Sequence, residues 1–249
     1  VYGNYREETV QQLNEMLSSV LPADPGPALP AVEVVRLAPG EAIQYALDIE
    51  HDDAVLAWYL QGESDSWPDR AATALTAQIM KSGFFQQLRT EQQLGYIVAA
   101  FNWTQLEVPG LVMLIQSPVA DANALATAML TFLDGVQPDL DAEQFARHKA
   151  ALVSDILRPD ENLGERAEFY WQSIARKQYD FEGRRTLADA VEALSLEDWQ
   201  AYFERVFLNR QHSLQVVSPG RWDKLPADGG RLYDDAGAIK ATHGTYRLE

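Results

Sequence analysis

The sequence predicts an α+β fold: an antiparallel-rich mixed sheet covered on one face by helices. Two features of the order predict it, since period-two apolar segments gather before residue 118 and helically spaced ones dominate after residue 120. The size fits one such layer pair, because 249 residues with 47% apolar content can bury one substantial core.

The chain opens at Val1 in what reads as a strand, the start expected of a segment cut from a longer polypeptide. From Arg6 to Leu21, Val10, Leu13, Leu17 and Val20 recur at the one-sided spacing of an amphipathic helix that needs something to pack on. Four prolines between Leu21 and Pro30 then deny both helix and central strand. Residues 1–21 are therefore expected to end one domain, 22–31 to form a Pro-rich linker, and 32–249 to form the next domain.

Period-two patterning predicts strands over Val32–Leu37, Ile43–Ile49 and Ala54–Gln61. Ser66 or Asp65 can cap a helix with Pro68 in its first turn, and Ala71, Leu75 and Ile79 run down one face toward Phe84 and Leu88, with an end at Arg89. Strands Leu94–Trp103 and Leu111–Ser117 follow, joined by a reversal at Glu107-Val108-Pro109-Gly110. Helices are expected at Asp121–Gly135, Asp141–Leu157, Leu163–Lys177 and Leu196–Phe207. Asp141 with Gln144, Asn162 with Glu165 and Ser195 with Asp198 supply box-type start signals. A strand from His212 to Val217 is expected to close the domain, and no role is legible after Asp228.

Composition removes several function classes. Twenty Lys and Arg against 37 Asp and Glu leave a formal charge of −17, which repels nucleic-acid phosphates and anionic lipid. The absence of cysteine excludes disulfides, thiolate metal sites and a Cys nucleophile. No apolar run approaches the ~20 residues that span a bilayer, and the first residues lack the regions of a signal peptide. Neither nucleic acid nor membrane is expected as a partner, and a soluble protein of periplasm or cytoplasm is expected without a choice between the two.

The most informative stretch is Leu88-Arg89-Thr90-Glu91-Gln92-Gln93-Leu94-Gly95-Tyr96, where a helix end, a polar turn and a strand start bring Arg89 and Tyr96 from two rigid elements. Taken alone, Arg89 is a cation favoured near a helix C-terminus, and Tyr96 is a strand aromatic that fills core. With Ile115-Gln116-Ser117, Phe169-Tyr170-Trp171, Gln178-Tyr179-Asp180-Phe181 and the start at Leu194 to Trp199, this stretch resembles the C-terminal half of the pitrilysin and insulin-degrading, or insulinase-type, zinc metallopeptidases. The resemblance covers most of the chain and weakens after Pro219. It implies a metallopeptidase domain like those of mitochondrial processing peptidase, the fourth of four related domains, preceded by the last strand and helix of the third.

It also implies roles. Arg89 would donate to a backbone carbonyl of a bound peptide, and Tyr96, the catalytic candidate, would stabilise the oxyanion that develops on the scissile carbonyl. Gly95 would permit the tight entry that aims Tyr96. The family's inverted zinc motif, two histidines and a glutamate on one helix, is absent. His51, His148, His212 and His243 are too far apart in sequence to make it, and none is assigned to metal. His51 with Asp52 and Asp53 reads as a solvated turn, and Phe169, Tyr170, Trp171, Tyr179, Phe181, Trp199, Phe203 and Phe207 read as core.

The resemblance therefore implies no cofactor in this chain. Zinc would be held by the N-terminal half of the parent polypeptide or by a partner subunit, and this domain would be one substrate-binding wall of a closed peptide chamber, inactive by itself. The alternatives of the same fold are a catalytically silent partner or scaffold, and part of a protease that matures a peptide-derived cofactor.

Overall fold

A computed structural model describes residues 2–21, 26, 31–137 and 139–247. Most of the expected linker at 22–31 lies outside the described residues. The elements run α1 (Glu7–Val20), β1 (Glu33–Val35), β2 (Glu41–Ala46), β3 (Ala54–Gln61), α2 (Trp67–Phe85), β4 (Ile97–Asn102), β5 (Gly110–Ser117), α3 (Ala122–Val136), α4 (Ala142–Ile156), α5 (Leu163–Ala175), α6 (Gly183–Ala193), α7 (Leu196–Phe203), β6 (His212–Ser218), β7 (Arg231–Tyr233), α8 (Ala236–Thr242) and β8 (Thr245–Arg247).

Six strands form one mixed sheet in the order β4-β5-β3-β6-β2-β7. The pairs from β4 to β6 are antiparallel, whereas β2 runs parallel to both β6 and β7. β1 and β8 make a separate antiparallel pair. This is the expected α+β sheet, and one face is covered by helices because β3 alternates from Ala54 to Leu60: Leu56, Trp58 and Leu60 share one buried cluster with residues of α2, α3 and α7, while Val55, Ala57 and Tyr59 point the other way. Polar tips inside this core are paired. The Trp58 indole donates to Ser213 Oγ at 2.7 Å and the Trp199 indole to Thr76 Oγ1 at 3.0 Å, so neither buried N–H is orphaned.

The start signals act as expected. Ser66 Oγ accepts from the Asp69 N–H, and Asp141 with Gln144 forms the full reciprocal box. Other expectations need correction. The helix expected to stop at Arg89 loosens after Phe85 into a wider π-type turn over Gln86–Glu91, and the strand expected from Leu94 begins only at Ile97. A helix not anticipated, α6, packs Ala188 and Val191 against α2 and α4. Nor does the strand at His212 close the domain, because β7 adds to the free edge of β2 and β8 pairs with β1.

The aromatic set divides. Trp199, Phe203 and Phe207 are core, whereas Trp171 and Tyr179 on and after α5 are exposed. In the Glu107 turn the carboxylate is buried against the Arg70 guanidinium at 2.5 Å, with Leu106 and Glu107 both at positive φ. α1 buries none of its residues, and the Tyr2 ring just before it packs at a tilt against Tyr170, ring centroids 5.1 Å apart.

Candidate functional site

The segment from Phe84 to Val98 is held at its ends and free in the middle. Phe84, Leu88 and Val98 are buried in the core under the sheet, which fixes both the last helical turns and the entry to β4. Between them the Gln92 N–H donates to Gln87 O and the Leu94 N–H to Leu88 O, each at 2.9 Å, closing loops wider than an α-turn. Gln93 takes φ 51°, the left-handed value that turns the chain toward the sheet. Gln92 and Gln93 themselves are exposed.

This path sets Arg89 and Gly95 side by side. Arg89 Nη1 donates to the Gly95 carbonyl at 3.1 Å, and its guanidinium carbon lies 5.5 Å from the centre of the Phe85 ring. Gly95 is where only glycine fits, because a Cβ there would run into the backbone carbonyl of Gln116 on β5. Tyr96 is therefore pinned one residue before the strand, and its ring is 49% exposed rather than filling core. Arg89 is half-buried. One of its five N–H groups is used on Gly95, the residue before Tyr96, which leaves a fork with donors to spare.

Two further residues belong to this corner, and sequence reasoning passed over both. Asp53, read as part of a solvated turn, is only 8% exposed. Gln116 Nε2 donates to its Oδ2 at 3.1 Å. Interaction with the Asp53 carboxylate, with smaller parts from burial and from its negative charge, raises the Tyr96 phenol above the ordinary tyrosine value. No local spacing marks Asp53 as special. Only the pairing of β3 with β5, with Gln116 opposite Val55, brings it within reach of the Gln116 amide.

The histidines do not gather. His51 Nδ1 accepts the Asp53 backbone N–H at 3.0 Å, His212 Nδ1 lies 2.7 Å from Leu37 O, and His148 is shifted down by burial and by Arg147. Among the described residues no group of three or more His, Cys, Asp or Glu is placed to hold a metal ion. The donor set does not fit a zinc site. Nor is any helix long and apolar enough to cross a membrane among those residues.

With this geometry in view, a family profile described as "PQQ synthase PqqF-like, C-terminal lobe domain 4" matches residues 75–171. The chain is 24% identical to "Insulin-degrading enzyme-like 1, peroxisomal" of Arabidopsis thaliana, over 99% of this chain and 28% of that protein. It is 24% identical to "Protease 3" of Escherichia coli (strain K12), over 77% of this chain and 21% of that protein. Among solved structures, pitrilysin superposes with a TM-score of 0.85 at 20% identity, covering 99% of this chain and 27% of the other. The "peptidase M16 inactive domain" from Pseudomonas fluorescens superposes at 0.62 with 17% identity, over 90% and 53%. At these identities the superpositions speak for the fold, and the chain spans roughly a quarter of the length of the curated relatives.

Proposed function

With sequence and fold both relating this chain to the C-terminal domains of insulinase-type metallopeptidases, we propose that it is the wall of a peptide chamber that holds substrate for a zinc site carried elsewhere. In this reading residues 1–21 belong to the preceding domain, the Pro-rich stretch 22–31 is the boundary, and residues 32–249 form the wall. The zinc-bearing half is another part of the parent polypeptide or a partner subunit.

Arg89 and Tyr96 carry the role. An extended peptide offers backbone carbonyls, and the unused N–H groups of the Arg89 fork donate to one of them, setting the register of the chain. The Tyr96 hydroxyl donates to the carbonyl under attack, a bond that strengthens as negative charge develops on that oxygen. The supporting observation is the Arg89 to Gly95 bond, which ties the guanidinium to the residue just before the phenol.

The test is complementation. Neither this chain nor the separately made zinc-bearing half should cleave a fluorogenic peptide, and the mixture should. Cleavage by the zinc-bearing half at full rate without this chain would reject the division of labour.

A second reading is favoured by one observation, the match of residues 75–171 to a PQQ synthase PqqF-like lobe. It gives the same wall a narrower task, processing the peptide precursor of a cofactor. Preference of the assembled enzyme for one short peptide over mixed peptides of equal length would select it. The Pseudomonas likeness, named as an inactive domain, is the opposite pole: in a silent scaffold, replacing Arg89 and Tyr96 would leave the activity of the assembly unchanged.

A further inference from the structure

We infer that the free edge of β4 is a strand-addition site, where an extended stretch of peptide lies beside Ile97–Asn102 as a seventh strand of the six-stranded sheet. The inference deepens the proposed function, and its naming of the occupant as substrate rests on that reading.

β4 pairs with β5 alone, so one side of its backbone has no neighbouring strand. Which groups face outward follows from the ladder. The Trp103 N–H donates to Gly110 O at 2.7 Å, and in an antiparallel pair the residues bonded to the partner recur at every second position. Phe101, Ala99 and Ile97 therefore bond to Val112, Leu114 and Gln116, while Val98, Ala100 and Asn102 turn their N–H and C=O groups to the open side. Nothing blunts that edge. Ile97–Asn102 holds no proline, no charged side chain and no bulge, the devices that keep an edge from pairing. The other edge of the sheet, β7, is only Arg231–Tyr233 and begins with a cation.

Both faces beside β4 suit the alternating side chains of an added strand. On the helix side a groove of about 680 Å³ runs along Val98–Phe101, walled by Lys81 and Phe85 of α2 and by His148 and Asp155 of α4. On the opposite face Ile97, Phe101 and Trp103 are exposed. The occupant is a peptide rather than a second copy of this chain, because two chains of formal charge −17 repel each other. The edge is also continuous with the candidate site. Ile97 follows Tyr96 directly, and the Phe85 ring that walls the groove has the Arg89 guanidinium 5.5 Å from its centre. A strand laid on β4 thus runs past both residues, with main-chain hydrogen bonds holding it and every second side chain, bulky and apolar, entering the groove.

The experiment follows amide exchange in this chain by NMR while a short capped peptide of alternating valine and threonine is added. At a peptide concentration ten times its Kd, the Val98, Ala100 and Asn102 amides should exchange about tenfold more slowly. The same peptide N-methylated at every amide should have no effect. Unchanged exchange at millimolar peptide, equal slowing by the methylated peptide, or slowing that grows with the concentration of the chain alone would overturn the site, the last by making a second copy the occupant. In the assembled enzyme, Asn102→Pro deletes one outward donor at the end of an edge strand, a place that tolerates proline. It should raise KM about fivefold with kcat little changed. An unchanged KM would show that substrate does not use the edge. If Tyr96→Phe were silent in that enzyme, the functional reading would fail, and the exchange of the outward amides would still decide strand addition.

Discussion

The two edges of the sheet are built by opposite means. At the β4 edge, Arg89, Gly95 and Tyr96 are fixed by main-chain contacts: a guanidinium on a carbonyl, a glycine flush on β5, and buried residues on both sides of the turn. At the β7 edge, the segment through α8 and β8 is tied back by side chains. His243 Nε2 meets Glu41 Oε1 at 2.8 Å while its Nδ1 lies 2.6 Å from Ile239 O. A ring with an acceptor at each nitrogen is an imidazolium. Burial opposes that charge, but the hydrogen bonds to the Ile239 carbonyl and the Glu41 carboxylate outweigh it, and the His243 pKa is raised. The far edge therefore carries a titratable tie, whereas the contacts just named at the candidate edge are main-chain ones.

Substitutions should sharpen this contrast. The largest effect is expected at the hairpin that carries β4, where Glu107→Gln leaves the Arg70 guanidinium buried without its partner. Loss of one member of such a pair costs about 3 kcal/mol or more, read as a lower urea midpoint at unchanged slope. Gly95→Ala comes next. Forcing a methyl onto the Gln116 carbonyl should cost about 2 kcal/mol and displace the β4 and β5 amide resonances around Tyr96. A midpoint equal to wild type would show that the edge yields more easily than its packing implies.

His243→Gln should have the smaller effect, about 1 kcal/mol, and only below the titration of the wild-type histidine. The sign follows from linkage: a folded pKa above the unfolded one means the folded state holds the extra proton. The contribution is then complete below the ordinary histidine pKa of about 6.5 and is lost as pH rises through the higher folded value. Hydrogen exchange should show α8 amides opening faster with rising pH in the wild type beyond the intrinsic rate, and the excess should vanish in the variant. The same pH-dependent opening at β4 would break the contrast between the edges.

The same contrast explains what the sequence allowed to be read. β3 was legible to the residue, because seven of its eight positions alternate in a central strand whose two faces differ. The Arg89 to Tyr96 corner was legible because it is local, a helix end and a strand start one turn apart. The β7 to β8 segment was not, since strands of three residues have no period of their own and take their shape from Ile43 and Glu33, about 190 to 210 residues away. α6 did carry a signal in Leu187, Ala188 and Val191, obscured by Gly183 and two arginines at its start. Asp53 was misread because a charged residue in a turn is normally wet, and only a tertiary partner, Gln116, makes its burial tolerable.

The central claim is that the phenol of Tyr96 meets substrate at the reacting carbonyl. Its most direct test is the steady-state kinetics of Tyr96→Phe in the complete parent polypeptide with a quenched peptide substrate. The account predicts a fall in kcat of about 10² to 10³ with KM nearly unchanged, since the bond matters most where charge develops. A wild-type kcat, or a rise in KM alone, would contradict it.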